Sequence, residues 1–234
     1  MLVANCALSV IGYNRRSVCH PQGARSRNEI RTFMATVIAL SPENELTRER
    51  IIDAAEELLR RYGPAKTKVV DVARHLSMSH ANVYRHFDSK ADIKDLVAAR
   101  WLTGISDPLE KFVSKRGSAA KRLRDWVDAL IAIKAEKVRD DPELFATYTA
   151  LADASRGVIA EHVEHLRVQL AAIIADGVKR GEFKVKNAVR AAQAVHEAIT
   201  RFQHPYFVTR SEMRSDGASA VMDLLIAGLK AGVI

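Results

Sequence analysis

The sequence holds two cysteines, Cys6 and Cys19, and none from Met34 onward. A disulfide framework or a cysteine-based metal site is therefore excluded from the greater part of the chain. Turn punctuation is thin, with 11 Gly and 6 Pro in 234 residues. A sandwich or barrel needs a turn signal every ~8–12 residues, so an all-β architecture is disfavoured. No apolar run approaches the ~18 residues that span a bilayer, which argues against a membrane partner. Nor is the chain polar enough to be disordered throughout. It is 48% hydrophobic and 27% charged, with a mean hydropathy of −0.10. Its length suits one or two domains with a real core.

The net charge of +8 is unevenly placed. Arg15, Arg16, Arg25, Arg27 and Arg31 face a single acid, Glu29, within the first 33 residues. A basic balance permits nucleic acid as a partner without establishing it. Residues 1–12 are apolar but lack a basic flank and a small-residue cleavage site, so they do not read as a signal peptide. Residues 1–46 show no helical or strand period and read as a flexible extension, with a native start expected at Met34. Deletion of residues 1–33 is expected to spare folding.

From Thr47 the pattern becomes helical and stays so. Thr47 reads as an N-cap, followed by Ile51, Ala55, Leu58, Leu59 and Tyr62 on one face. Gly63-Pro64 ends that helix. Thr67 reads as the cap of a short second helix carrying Val69, Val72, Ala73 and Leu76. After Ser77-Met78-Ser79 comes a third, with Val83, Tyr84 and Phe87, and Ser89 caps a longer helix over 90–104. Further helices are expected over 118–139, from Pro142 through Leu151, over 156–180, from Asn187 to Phe202, and over 212–230. The 118–139 helix carries Leu123, Trp126, Leu130 and Ile133. The fold class is all-α.

Two short helices joined by a tight turn after a longer helix make a helix-turn-helix. Its geometry suits a major groove about 12 Å wide, which admits one helix braced by another. The third helix offers Ser79, His80, Ala81, Asn82 and Arg85 outward. Arg48, Arg50, Lys68 and Lys90 flank it with positive charge. Helix starts near Thr67 and Ser79 present backbone N–H groups suited to phosphate.

Residues 47–93 resemble the TetR family of bacterial transcriptional repressors. The resemblance rests on the spacing from Gly63 to Thr67, the VVDVA segment at 69–73 and the string from Ser79 to Lys90 with Tyr84, His86, Phe87 and Ser89 in register. It implies that Tyr84, His86 and Lys90 hold phosphates, while His80 to Asn82 and Arg85 face the groove. Two departures stand out: Ser77 where the family often has Gly, and Ala81-Asn82-Val83 where it often has Gly-Thr-Leu. The second changes the reading surface, so base preference does not carry over. Asn82 suits adenine, and Arg85 suits guanine or a phosphate.

For residues 94–234 the resemblance implies a helical domain that dimerises and holds a small-molecule pocket. Candidate lining residues are Trp101, Phe112, Trp126, Phe145, Tyr148, His162 and His196. The wide apolar faces of the last two helices offer Val195, Ile199 and Phe202, then Val221, Met222, Leu225 and Leu229, as a dimer seam. His162 and His165 with His196 lack a convincing carboxylate partner, so no metal is expected. No cofactor, catalytic residue or nucleophile–base pair stands out. The expectation is a cytoplasmic repressor that binds a palindromic double-stranded operator as a homodimer and is released by a small effector. A regulator without a small ligand is the alternative, and a helical enzyme a remote one.

Overall fold

The computed structural model describes residues 42–209 and 215–233. The expectations for residues 1–33 and for a start at Met34 lie outside the described residues. The chain divides into Met1–Glu45 and Leu46–Ile234, and the packing below concerns the second unit. Twelve α-helices are described, and no strand is among the described residues.

Helix α1 spans Pro42–Lys66 and is broken at Gly63, where φ is 75°. It begins earlier than the Thr47 cap expected from sequence. Proline suits a first helical position, and Glu43 and Glu45 in the first turn favour the positive end of the helix dipole. Next come α2 (Val69–His75), α3 (His80–Val83) and α4 (Lys90–Ser106). Ile51, Ala55, Leu58 and Leu59 of α1 pack with Val69, Val72, Val83, Phe87, Ile93 and Val97 in one core.

The α2–α3 turn is closed by two backbone bonds. Ser77 N donates to Arg74 O at 3.1 Å and Met78 N to Ala73 O at 2.9 Å, with Ser77 at a φ of 53°. This left-handed stop usually takes glycine, and serine occupies it here at a modest conformational cost.

A second core is built by α4, α5 (Glu110–Ser114), α6 (Ala119–Asp140), α7 (Pro142–Ala154), α8 (Arg156–Lys179), α9 (Ala188–Ala198) and α12 (Ser215–Ala231). Between α9 and α12 lie two one-turn helices, α10 (Thr200–Gln203) and α11 (Pro205–Val208). Ser118 and Asn187 are the N-caps of α6 and α9, each side chain accepting a backbone N–H of the first turn. Gly181 ends α8 at a φ of 74°. Near that end α8 crosses α6 closely: a Cβ on Gly177 would lie 2.3 Å from the Phe183 ring and 2.8 Å from Ala119 Cβ. Helix α4 joins the two cores, giving Ile93, Val97 and Ala98 to one and Leu102 and Ile105 to the other.

Several sequence expectations need correction at this level. Trp126 and Phe112 are core residues rather than cavity walls. Trp126 is fully buried, and its indole N–H donates to Gln169 Oε1 at 2.8 Å. The seam expected on the last helices is largely spent within the subunit. Val195, Ile199, Met222 and Leu229 are all buried. The reason is register: Ala218, Met222, Ile226 and Leu229 recur along α12 as one inward stripe. Phe202, Val221 and Leu225 are half-buried, and Leu224 points outward at 75% exposure.

Candidate nucleic-acid interface and buried cavity

Helix α3 is short, so its placement depends on what holds it. Ser79 Oγ accepts from Asn82 N at 3.1 Å, closing the N-cap. Val83 and Phe87 are buried and anchor the inner side. His80, Ala81, Tyr84 and Arg85 are exposed, and Asn82 is half-buried. The His80 and Tyr84 rings meet edge-on at 4.8 Å. Asn82 Oδ1 accepts from Arg85 Nη1 at 3.4 Å. The outward face is therefore polar, aromatic and cationic at once.

Arg50, Lys68 and Lys90, which flank it in the sequence, are exposed. Lys68, Lys90 and Lys94 rim one shallow hollow of about 20 Å³ where the N-termini of α2 and α4 approach. Two expected contacts are used otherwise. Thr67 is buried and its hydroxyl donates to the carbonyls of Leu58 at 3.2 Å and Gly63 at 2.9 Å. It ties α1 to α2, and Lys68 rather than Thr67 is the N-cap. Arg48 donates to the His86 carbonyl and lies over the Phe87 ring at 4.6 Å, so it braces the end of the α3 segment. His86 is half-buried with Nδ1 unpartnered. Burial, with Arg85 and Arg48 nearby, lowers its pKa and keeps it neutral.

The second site is a cavity of about 500 Å³ in the second core. That size falls in the usual range for small-molecule sites. Its walls come from α4, α6, α7, α8, α9, α10 and α11. Of the residues expected from sequence, Trp101, Phe145, His162 and His196 line it. Tyr148 stands behind Trp101, their rings stacked 5.2 Å apart at 6°. The Tyr148 hydroxyl donates to Glu56 of α1 at 2.9 Å. Burial first, then Glu56, raises the Tyr148 pKa, so the phenol keeps its proton.

Sequence reading missed Lys134, Gln203 and Thr149, all of which line the cavity. The signal for Lys134 was present. Leu123, Trp126, Leu130 and Lys134 share one face of α6, and the register that buries the first three also buries the fourth. Ile133, read as the core position, is only half-buried. Lys134 Nζ donates to Gln203 Oε1 at 2.6 Å, and burial lowers its pKa to about 8. Burial, reinforced by Lys134, His165 and His196, takes His162 down to about 3. Burial, then Arg167 and Lys134, takes His196 down to about 4. Both imidazoles are thus neutral near pH 7. Among the described residues no group of three His, Cys, Asp or Glu is placed to hold a metal ion. No described helix is long and apolar enough to cross a membrane.

Comparison with known proteins bears on both sites. The model of bacterial regulatory proteins, tetR family, matches residues 51–95, and the model of the Tetracyclin repressor-like, C-terminal domain, matches residues 119–221. Two uncharacterised HTH-type transcriptional regulators of Mycobacterium tuberculosis are each 28% identical over 130 residues. That match spans 56% of this chain and 62% of theirs. Among solved structures, a TetR-family transcriptional regulator from Mesorhizobium loti is 19% identical, with a TM-score of 0.58 over 79% of this chain and 95% of its own. RolR in complex with resorcinol is 14% identical, with a TM-score of 0.55 over 79% of this chain and 88% of its own. At such identities the likeness is one of fold.

Proposed function

Because the chain belongs to the TetR family of bacterial regulatory proteins, we propose that it is a transcriptional repressor. It binds a palindromic DNA operator as a homodimer and releases it when a small molecule fills the cavity. The observation that carries this reading is the α3 face. Its inner side is anchored by Val83 and Phe87, while His80, Ala81, Tyr84 and Arg85 are exposed, as are Lys68 and Lys90 on either side in the sequence. Two such helices in a symmetric dimer reach successive major grooves about 34–36 Å apart. The lysines and Arg50 supply the phosphate contacts that give affinity, and the α3 side chains give readout. The protein acts as a regulator, not an enzyme, and works on DNA in the cytoplasm.

Helix α4 supports the coupling between the sites. Its Trp101 is one wall of the cavity and stacks on Tyr148, which bonds Glu56 of α1. Its Arg100 pairs with Glu49 and Asp53, also on α1. A ligand that favours a shifted α4 therefore weakens DNA binding through its unequal affinity for the two arrangements. RolR, of the same fold, is known with resorcinol bound, and a cavity of about 500 Å³ here suits an occupant of that kind.

Two substitutions, one on α3 and one at its C-cap, test the assignment. Tyr84→Phe removes one hydroxyl from a positioning contact and is expected to weaken binding to every sequence alike, by about 1 kcal/mol. Asn82→Ala is expected to lose about 1–3 kcal/mol on the operator and little on scrambled duplex, relaxing preference at one base pair. It also frees Arg85, which Asn82 holds at 3.4 Å. Equilibrium binding of both variants to both duplexes at one salt concentration decides the matter. An equal loss for Asn82→Ala on both duplexes removes Asn82 from readout and leaves specificity to His80, Arg85 or DNA shape.

A further inference from the structure

The cavity carries an unbalanced set of polar groups. Lys134 is the buried cation among them, at 6% exposure. An ammonium has three N–H donors. One meets Gln203 Oε1 at 2.6 Å. No ion pair among the described residues involves Lys134, so no carboxylate offsets its charge, and burial lowers its pKa. Asp153 is the one acid among the described lining residues; it is exposed and makes no ion pair with Lys134. The Gln203 amide nitrogen faces His196 Nε2 at 3.4 Å, which fixes its oxygen toward Lys134. That bond requires His196 Nε2 to be the acceptor, which places the imidazole proton on Nδ1.

Two more polar atoms in the same cavity lack partners. His162 Nε2 and Thr149 Oγ1 are buried without a hydrogen bond. Both are potential donors, and both residues line the cavity with Lys134. Buried polar groups are nearly always satisfied, and a buried ammonium without a counter-charge is among the costliest exceptions. Trp101, Phe145, Ile159 and Leu166 give the lining its apolar part, and the Thr200 and Thr209 hydroxyls there are engaged with the His196 and Pro205 carbonyls. The cavity lining thus offers a single buried ammonium and two unpartnered polar atoms beside a large apolar and aromatic surface.

We propose that the cavity is built for a small organic monocarboxylate. Its carboxylate is set against Lys134, His162 and Thr149, and its aryl or alkyl body lies along Trp101, Phe145 and Leu166. The inference rests on the reading of the cavity as the effector site and adds the chemical class of the effector. A carboxylate supplies acceptors only, and one negative charge matches one cation. A neutral amide of the same shape brings an N–H₂ donor into a site already rich in donors. It also leaves the Lys134 charge uncompensated.

The test titrates the full chain with 3-phenylpropionate and with octanoate, each beside its own primary amide. Indole fluorescence and calorimetry report binding, and operator affinity is measured at saturation. Each acid is expected to bind at least tenfold more tightly than its amide. Lys134→Met is expected to abolish that preference while the ligand-free protein becomes no less heat-stable, since a buried unpaired charge is removed. Lys134→Gln is the control that keeps a polar group against Gln203 and is expected to lose the preference as well.

Amides that bind as well as the acids, acids that do not bind, or a preference that survives both Lys134 substitutions each overturn the inference. An acid that binds as expected but leaves operator affinity unchanged overturns the effector reading and leaves the anion site standing. An amide that binds as well as its acid and releases DNA overturns the anion site and leaves the effector reading standing.

Discussion

Leu224→Arg is expected to turn the protein into a folded monomer and to lower its affinity for a palindromic operator on the order of a hundredfold. Leu224 is 75% exposed in the single subunit. It lies on the outer side of α12, between exposed Ala220 and Ala227. The arginine is solvated in the monomer, so helicity and thermal stability of the subunit hold. In a dimer built on this face, the same charge enters an apolar seam unpaired, which typically costs about 3–5 kcal/mol. One half-site alone then supports binding. Sedimentation velocity and binding to an operator duplex read the two effects together. A dimer that persists with unchanged operator affinity moves the interface off α12. Met222→Arg makes the contrast, because Met222 is fully buried and its replacement is expected to unfold the subunit instead.

The second large effect concerns Trp126. Its ring is fully buried between α6 and its neighbours, and its N–H bonds Gln169. Gln169 in turn donates to the Ser106 carbonyl at 3.1 Å, linking α8 to the end of α4. Trp126→Ala leaves a large void and an unpartnered amide oxygen. The expected loss is about 3–5 kcal/mol, a fall in Tm of roughly 10 °C for a domain of this size. Trp101→Ala is expected to behave oppositely: a smaller loss of stability with a larger loss of ligand binding, because Trp101 is half-buried and forms a wall of the cavity. Thermal melts with ligand titration of both variants separate a core role from a binding role. A Trp126→Ala protein with an unchanged Tm contradicts the packing described here.

The helix-turn-helix was legible in the sequence because its signals are local. Ser79 and Ser89 announce caps, Gly63 announces a stop, and Val83 and Phe87 mark the buried side of a short helix. Each depends on residues within a few positions. Thr67 and Arg48 were misread because their partners are distant in sequence, the Leu58 carbonyl for one and the His86 carbonyl for the other. Helix α1 starts ahead of Thr47 because its opening turn is marked by a proline and two acids rather than by an apolar period.

The cavity was harder to read for a different reason. Its lining takes Lys134 from α6, Thr149 from α7, His162 from α8 and Gln203 from α10, four residues that only the helix packing brings to one cavity. Aromatic residues do not announce whether they fill a core or line a void. Trp126 and Phe112 do the first, Trp101 and Phe145 the second. The same holds for apolar faces. Helix α12 is apolar beyond one stripe, and only the packed structure shows that Met222 and Leu229 face inward while Leu224 faces out.

Selection from a randomised duplex library reads out whether the α3 face recognises DNA sequence. The full chain is expected to enrich an inverted repeat whose half-sites lie about 10–10.5 base pairs apart, centre to centre, or a multiple of that spacing. The Arg85→Ala variant, altered on the exposed α3 face alone, is expected to shift or relax the preference within each half-site while keeping the spacing. Enrichment of no sequence above the starting library by a folded, dimeric protein contradicts the account.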